Sequence, residues 1–362
     1  MRVKVKELQE GCIISEDIFS RTNRPIIAKR SILTKDLLEI LEVFLINDVV
    51  VEKTLVNGSP FIPAEIIEDE TKGNQTINQS DELTFIDLFL QATKDYKREF
   101  KSWQSGLPVD ISKIRALILP LIERVESSPA EIFNLHHFSN EEEYLYQHSI
   151  AVGLISGFIG RKLNYNKGDI VQLSLAGCLS DCGMSKIPER VLDKRTALAS
   201  EEFEEVKRHS TYSYRMIQNS PLVRDSVKIS IFQHHERLDG SGYPMGEKGP
   251  KIHPFAKIIA LADTFHAMTS ERHYRKKQSP FKVLEMITQD NFGKFDITAI
   301  NALQSGIMNF SIGSKVKLSN GQIGEILFIE DKSPTRPLVK IIETEVIIHL
   351  EKQRQLFIEE IM

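Results

Sequence analysis

The chain has 362 residues, 41% of them hydrophobic and 27% charged, with 14 prolines, a composition that supports a buried core and excludes a disordered chain. Its formal net charge of -4 excludes a chain-wide basic footprint for duplex nucleic acid or an anionic membrane, so any phosphate recognition must be local. Neither an apolar leader nor a run of about 18 apolar residues occurs, which predicts a cytoplasmic protein with no membrane span.

Residues 1–56 alternate short β-rich runs, Cys12-Ile13-Ile14, Pro25-Ile26-Ile27 and Val49-Val50-Val51, with one helix from Lys35 to Leu45 capped by Thr34. This pattern predicts a small α/β module. Residues 57–82 turn polar, apart from an apolar interruption at Ile62 to Ile67, and are expected to form a linker. From 83 to 308 the pattern is helical. Ser128-Pro129-Ala130-Glu131 and Ser139-Asn140-Glu141-Glu142 resemble capped helix starts, and the second leads into a helix that points His148 inward. Over 309–362 the periodicity becomes strand-like, with Asn320-Gly321 as a hairpin turn and Ser333 to Pro337 as a loop, predicting a small β-barrel-like module. The fold class expected is mainly α, a helical bundle flanked by these two modules. Cys12, Cys178 and Cys182 form no CxxC pair and are expected to be reduced packing thiols rather than zinc ligands.

The chemistry concentrates in Gln233-His234-His235-Glu236-Arg237-Leu238-Asp239-Gly240-Ser241-Gly242-Tyr243-Pro244. Neutral histidines are good ligands for iron, manganese or zinc, and paired ions activate water against a phosphodiester. An isolated His-His would be a surface or capping pair, whereas the glycine loop that follows allows close backbone approach to a ligand.

On these residues the chain resembles the HD-GYP family of HD phosphohydrolases, whose members hydrolyse the bacterial messenger cyclic di-GMP. The resemblance spans about Tyr144 to Asp290 and extends to Ile258 through Thr269 and to Ser270-Glu271-Arg272-His273-Tyr274-Arg275-Lys276. It implies a helical HD-type bundle and two divalent ions, iron or manganese, held by His148, Asp181, His209, His234, His235 and Asp263. It also implies that Asp181 is the bridging, catalytic aspartate. Gly240, Gly242, Tyr243, Pro244, Arg272 and Lys276 are the expected substrate contacts.

Two departures stand out. Where the family writes His-Asp-x-Gly-Lys, this chain has Ser180-Asp181-Cys182-Gly183-Met184, so one metal loses an imidazole and the phosphate-facing lysine is absent. Where some members carry a glutamate four residues before the first histidine, allowing a third metal, this chain has Tyr144, and Glu143 is one residue out of register. His136, His137, His253, His266, His273 and His349 match no motif position and are assigned structural or exposed roles.

Three functions stay open at this level. The first is a cyclic di-GMP phosphodiesterase with one weakened metal site, and the second a degenerate receptor or scaffold that binds the nucleotide or diguanylate cyclase domains. The third is an interaction protein built on a fossil domain. Homodimerisation is left open, and no duplex nucleic acid partner is expected.

Overall fold

The computed structural model describes residues 1–19, 25–67, 83–139, 142–270, 277–289, 293–308, 312–330 and 333–361, except for the side chains at 130, 134 and 136. At the N-terminus come β1 (Arg2–Lys4), β2 (Ile18–Phe19), β3 (Pro25–Ile27), α1 (Lys35–Val43) and β4 (Asp48–Val50). β1 pairs antiparallel with β4, and β2 with β3. Thr34 caps α1 by accepting the Leu37 amide, which satisfies one donor that the first helical turn leaves open. Val3, Ile14, Leu33, Leu41 and Val51 form the core of this module.

The polar composition of residues 57–82 conceals a folded half. Phe61 is buried in the module's core, Ile66 bridges Val3, and the Ile67 amide donates to the Arg2 carbonyl at 3.0 Å. The apolar interruption in the expected linker is therefore chain folded back onto β1. Residues 68–82 lie outside the description.

The bundle comprises α2 (Phe85–Gln104), α3 (Ile111–Ser127), α4 (Tyr144–Lys162), α5 (Lys167–Leu179), α6 (Glu189–Leu192), α7 (Ser200–Lys207), α8 (His209–Ile217), α9 (Asp225–Gln233), α10 (Pro254–Thr269), α11 (Pro280–Gln289) and α12 (Ile297–Ile307). A reciprocal capping box between Thr84 and Asp87 starts α2, and the Thr54 hydroxyl donates to the same Asp87 carboxylate, tying the first module to the bundle. Two expected helix starts differ from the structure. Pro129–His137 is a 3-10 segment without a side-chain cap from Ser128, and α4 begins at Tyr144 without a side-chain cap from Glu143. The reason lies in packing. Every residue of α4 from Gln147 to Gly160 is buried, and a helix covered on all sides is held by its neighbours rather than by its ends.

α2 fixes the far end of α5. Its Tyr96 and Trp103 rings meet edge to face at 5.3 Å, and the Tyr96 hydroxyl donates to the Cys178 carbonyl at 2.9 Å, three residues before Asp181. Cys178 and Cys182 are buried thiols whose pKa is raised by burial, that of Cys182 to about 12, which suits packing rather than metal ligation.

The C-terminal strands are β5 (Lys315–Leu318), β6 (Ile323–Phe328), β7 (Leu338–Ile341), β8 (Ile347–His349) and β9 (Ile358–Ile361), and they form one antiparallel sheet in the order β8-β7-β6-β5-β9. β8 and β9 are its two edges and do not pair with each other, so the sheet is open and not the barrel-like closure expected from the sequence. Asn320-Gly321 turns β5 into β6 as expected. Among the described residues, no helix is long and apolar enough to cross a membrane.

Arg336 joins sheet to bundle. Its guanidinium donates to Glu285 of α11 at 2.7 Å and to the carbonyls of Leu350, Leu356 and Arg354, with both charged side chains 5% exposed. Removing one partner of such a pair leaves the other charge buried. Arg336→Ala should therefore cost about 3–5 kcal/mol of stability, and a thermal melt followed by circular dichroism checks this.

Candidate metal centre

Four helices and one turn deliver the side chains that matter. His148 lies one turn into α4, Asp181 just past the C-terminus of α5, His209 at the first position of α8, His234 and His235 directly after α9, and Asp263 in α10. Their donor atoms fall into two groups that share Asp181. One contains Asp181, His209, His234 and His235, the other His148, Asp181 and Asp263, and within each group the atoms lie within 4.8 Å of one another.

Local structure places each of these groups. Ser213 Oγ donates to the Ser180 carbonyl at 2.6 Å and accepts the Gly183 amide at 2.7 Å, clamping the turn around Asp181 against α8. Gly183 is required there because a Cβ would sit 2.2 Å from the His209 carbonyl oxygen and 2.4 Å from the Ser213 nitrogen. His209 donates its Nδ1 proton to the Val206 carbonyl and His234 donates its own to Ile231, each at 2.6 Å. Those bonds fix the tautomer, leaving lone pairs at both Nε2 atoms.

The two Nε2 atoms then face each other at 3.2 Å, and His235 Nε2 lies 3.0 Å from His209 Nε2. Asp181 Oδ1 stands 3.2 Å from His209 and 3.5 Å from His234, while Oδ2 is 3.5 Å from His148 Nε2. His148 Nε2 is also 2.9 Å from Asp263 Oδ1, and Asp263 Oδ2 is 3.8 Å from His235 Nδ1. Converging imidazole lone pairs with a carboxylate oxygen between them repel one another unless a cation sits among them. The donor set thus fits a divalent transition ion.

The charges of the cluster are interdependent: burial lowers the His209 pKa, but the Asp181 carboxylate outweighs it and raises the value. Burial would raise the carboxyl pKa of Asp181, but the close imidazoles of His209 and His234 outweigh it and hold the group well below the usual carboxylate range. Asp263 likewise stays low, its burial offset by His148 and His235. Burial, then the neighbouring His234, press His235 well below the ordinary imidazole value, keeping it neutral and able to ligate.

The Gly-Tyr-Pro loop packs against this cluster. The buried Glu236 carboxylate accepts the amides of Met245 and Glu247, closing the loop's exit, and the Tyr243 ring lies 4.6 Å from that of His235. A Cβ at Gly242 would meet the His235 carbonyl at 2.4 Å and the Arg237 nitrogen at 2.5 Å, so only glycine lets the loop close. The amides of Gly240, Ser241 and Tyr243 bond to Arg237 O, Asp239 Oδ1 and His235 O, so these three are taken up in closing the loop. The Tyr243–Pro244 bond is cis. Arg272, His273 and Lys276 lie outside the described residues, as does the side chain of His136.

The departures from the motif have structural counterparts. Ser180 Oγ donates its proton to the Gly177 carbonyl at 2.8 Å, back onto its own helix. Met184 packs against the hydrophobic core, and Glu143 pairs with Lys97 at 2.6 Å. His253 caps α10 by accepting the Phe255 amide, in keeping with its structural assignment. His266 also fits a structural role, with a contact the sequence reading did not foresee. It is 2% exposed, and its Nδ1 lies 3.0 Å from His148 Nδ1. The signal for it was present, since Asp263 and His266 are three apart on one helix and share a face.

A fold of helices around a His/Asp cluster with an Asp-x-Gly turn defines a class, and comparison with known proteins names it. Residues 127–298 match the HD domain family model. The chain therefore carries a segment that matches an HD domain and is similar to HD-GYP proteins, with departures at Ser180 and Met184. A cyclic di-GMP phosphodiesterase of Pseudomonas aeruginosa is 29% identical over 242 residues, 67% of this chain and 58% of that protein. One from Thermotoga maritima is 36% identical over 148 residues, 40% of each. A 3'3'-cGAMP-specific phosphodiesterase of Vibrio cholerae is 33% identical over 160 residues, 43% of this chain and 36% of that one. The chain spans about half the length of the curated relatives it matches. An HDGYP protein of Bdellovibrio bacteriovorus shares the fold, with a TM-score of 0.51 at 14% identity, covering 84% of this chain and 98% of its own.

Because Gly183 admits no side chain, Gly183→Ala should push His209 out of place, costing about 1–3 kcal/mol by overpacking and abolishing divalent ion binding. Calorimetric titration with manganese, beside a thermal melt, measures both.

Proposed function

We propose that this protein is a metal-dependent phosphodiesterase that opens cyclic di-GMP, with two divalent ions, iron or manganese, held by His148, Asp181, His209, His234, His235 and Asp263. The observation that carries the reading is the sharing of Asp181 between the three-imidazole group and the His148/Asp263 pair. Ions bound there would supply the positive charge that polarises a phosphodiester and lowers the pKa of its attacking water.

The chain's own residues set the geometry. Asp181 is the catalytic group of this reading, since its two oxygens hold both halves of the site in register on one phosphate. Tyr243 forms one wall of the ligand site against His235, its place set by Gly240, Gly242 and Pro244, and Arg272 and Lys276 are the phosphate contacts. The halves are unequal. The first has three imidazoles and a carboxylate, whereas the second has one imidazole and two carboxylates with Ser180 bonded elsewhere, so the second ion is the weaker. The relatives' activity on cyclic dinucleotides supports the substrate class. A cytoplasmic location, a homodimer and the division of the chain at 56, 82 and 308 belong to the same proposal.

A second reading is favoured by Ser180 and Met184, both turned into the fold and lost to chemistry. In it the protein is a cyclic di-GMP receptor or scaffold, with diguanylate cyclase domains among its partners, and hydrolysis is negligible.

The test is chromatography of products after incubation with manganese or ferrous iron and either cyclic di-GMP or 3'3'-cGAMP. Linear dinucleotide or GMP is expected from cyclic di-GMP. Bound but intact nucleotide on a protein holding fewer than two ions overturns the enzyme reading in favour of the receptor. Ser180→His with Met184→Lys should raise turnover by on the order of 10- to 100-fold, the size of effect that metal-site supports carry.

A further inference from the structure

We infer that His266 is a positioning residue for His148, taking the part that backbone carbonyls play for the other imidazoles, and that the weaker half of the metal site depends on it. The inference rests on the two-ion reading above. For His148 Nε2 to offer a lone pair between Asp181 and Asp263, its single proton must sit on Nδ1, and a buried N–H needs an acceptor. His209 and His234 meet that need with the carbonyls of Val206 and Ile231, three residues before each. His148 lies inside α4, where the carbonyls behind it belong to the helix ladder, so no such partner is at hand.

What faces its Nδ1 instead is His266 Nδ1 at 3.0 Å and the Tyr144 hydroxyl at 3.2 Å. Tyr144 stacks on His148 with ring centroids 5.2 Å apart and planes 24° from parallel, which steadies the ring. A neutral His266 with its own proton on Nε2 presents a lone pair to His148 and fixes both tautomer and tilt. Ser270 Oγ lies 3.3 Å from each nitrogen of His266, within reach of its Nε2 proton. Asp263 and His266 sit three residues apart on α10, so one helix supplies both a ligand of the second group and the group that orients its histidine.

Three variants separate positioning from bulk structure. His266→Phe keeps an aromatic ring but removes the acceptor, His266→Asn restores an oxygen near the Nδ1 position, and Tyr144→Phe removes only the other neighbour. The readouts are calorimetric titration of the full chain with manganese and, on zinc-loaded protein, nitrogen-15 NMR of histidine tautomers. His266→Phe should weaken the second ion by about 10- to 100-fold, the usual effect of losing a ligand's hydrogen-bond partner, while the first ion is unchanged. His266→Asn should restore most of that affinity, Tyr144→Phe should change it little, and His148 should carry its proton on Nδ1. Parent-like binding of both ions by His266→Phe, equal loss of both, no rescue by His266→Asn, or a His148 proton on Nε2 would each overturn the inference alone. A parent protein with only one ion site would instead sink the two-ion reading on which it stands.

Discussion

The carboxylate of Asp181 is the constraint around which the rest of this structure is arranged. A buried carboxylate is costly unless it is paired, and this one is held between imidazoles from two helices and one helix end. Each approach demands something of the fold: a glycine at 183 so that α8 can close in, a serine at 213 to clamp the turn, and α2 to hold the end of α5 through Tyr96. The helical bundle is the scaffold that brings these demands to one point.

That scaffold also explains how the site can be incomplete without the fold failing. The histidine missing at 180 is replaced by a serine whose hydroxyl bonds back to its own helix, and the lysine missing at 184 by a methionine that packs in the core. Both residues satisfy folding locally, and in the proposed reading they subtract from chemistry without disturbing the shape. The first donor group retains three imidazoles whose tautomers or charge states are fixed by carbonyls, burial and neighbouring rings.

Around the bundle, the C-terminal sheet shares its hydrophobic core with the helices, and directional polar contacts fix both junctions. The N-terminal module reaches α2 through Thr54 and Asp87, and the C-terminal sheet reaches α11 through the buried Arg336–Glu285 pair. Ion pairs at such junctions specify how two pieces meet more than they strengthen the whole.

The sequence by itself determined the helical class, the capped start of α1 and the β5–β6 hairpin, because periodicity, caps and turn chemistry are local, and it nominated six candidate donors that the fold brings together. It also located the two lost groups. The tertiary structure alone decided that Ser180 turns inward, that His266 meets His148, that residues 57–67 fold onto the first module and that the terminal sheet stays open. The common physical reason is sequence distance. Residues 148 and 266 lie on different helices, and β8 and β9 meet or miss according to the twist and register of an entire sheet. No local pattern along the chain encodes how two buried rings or two strand edges will face one another.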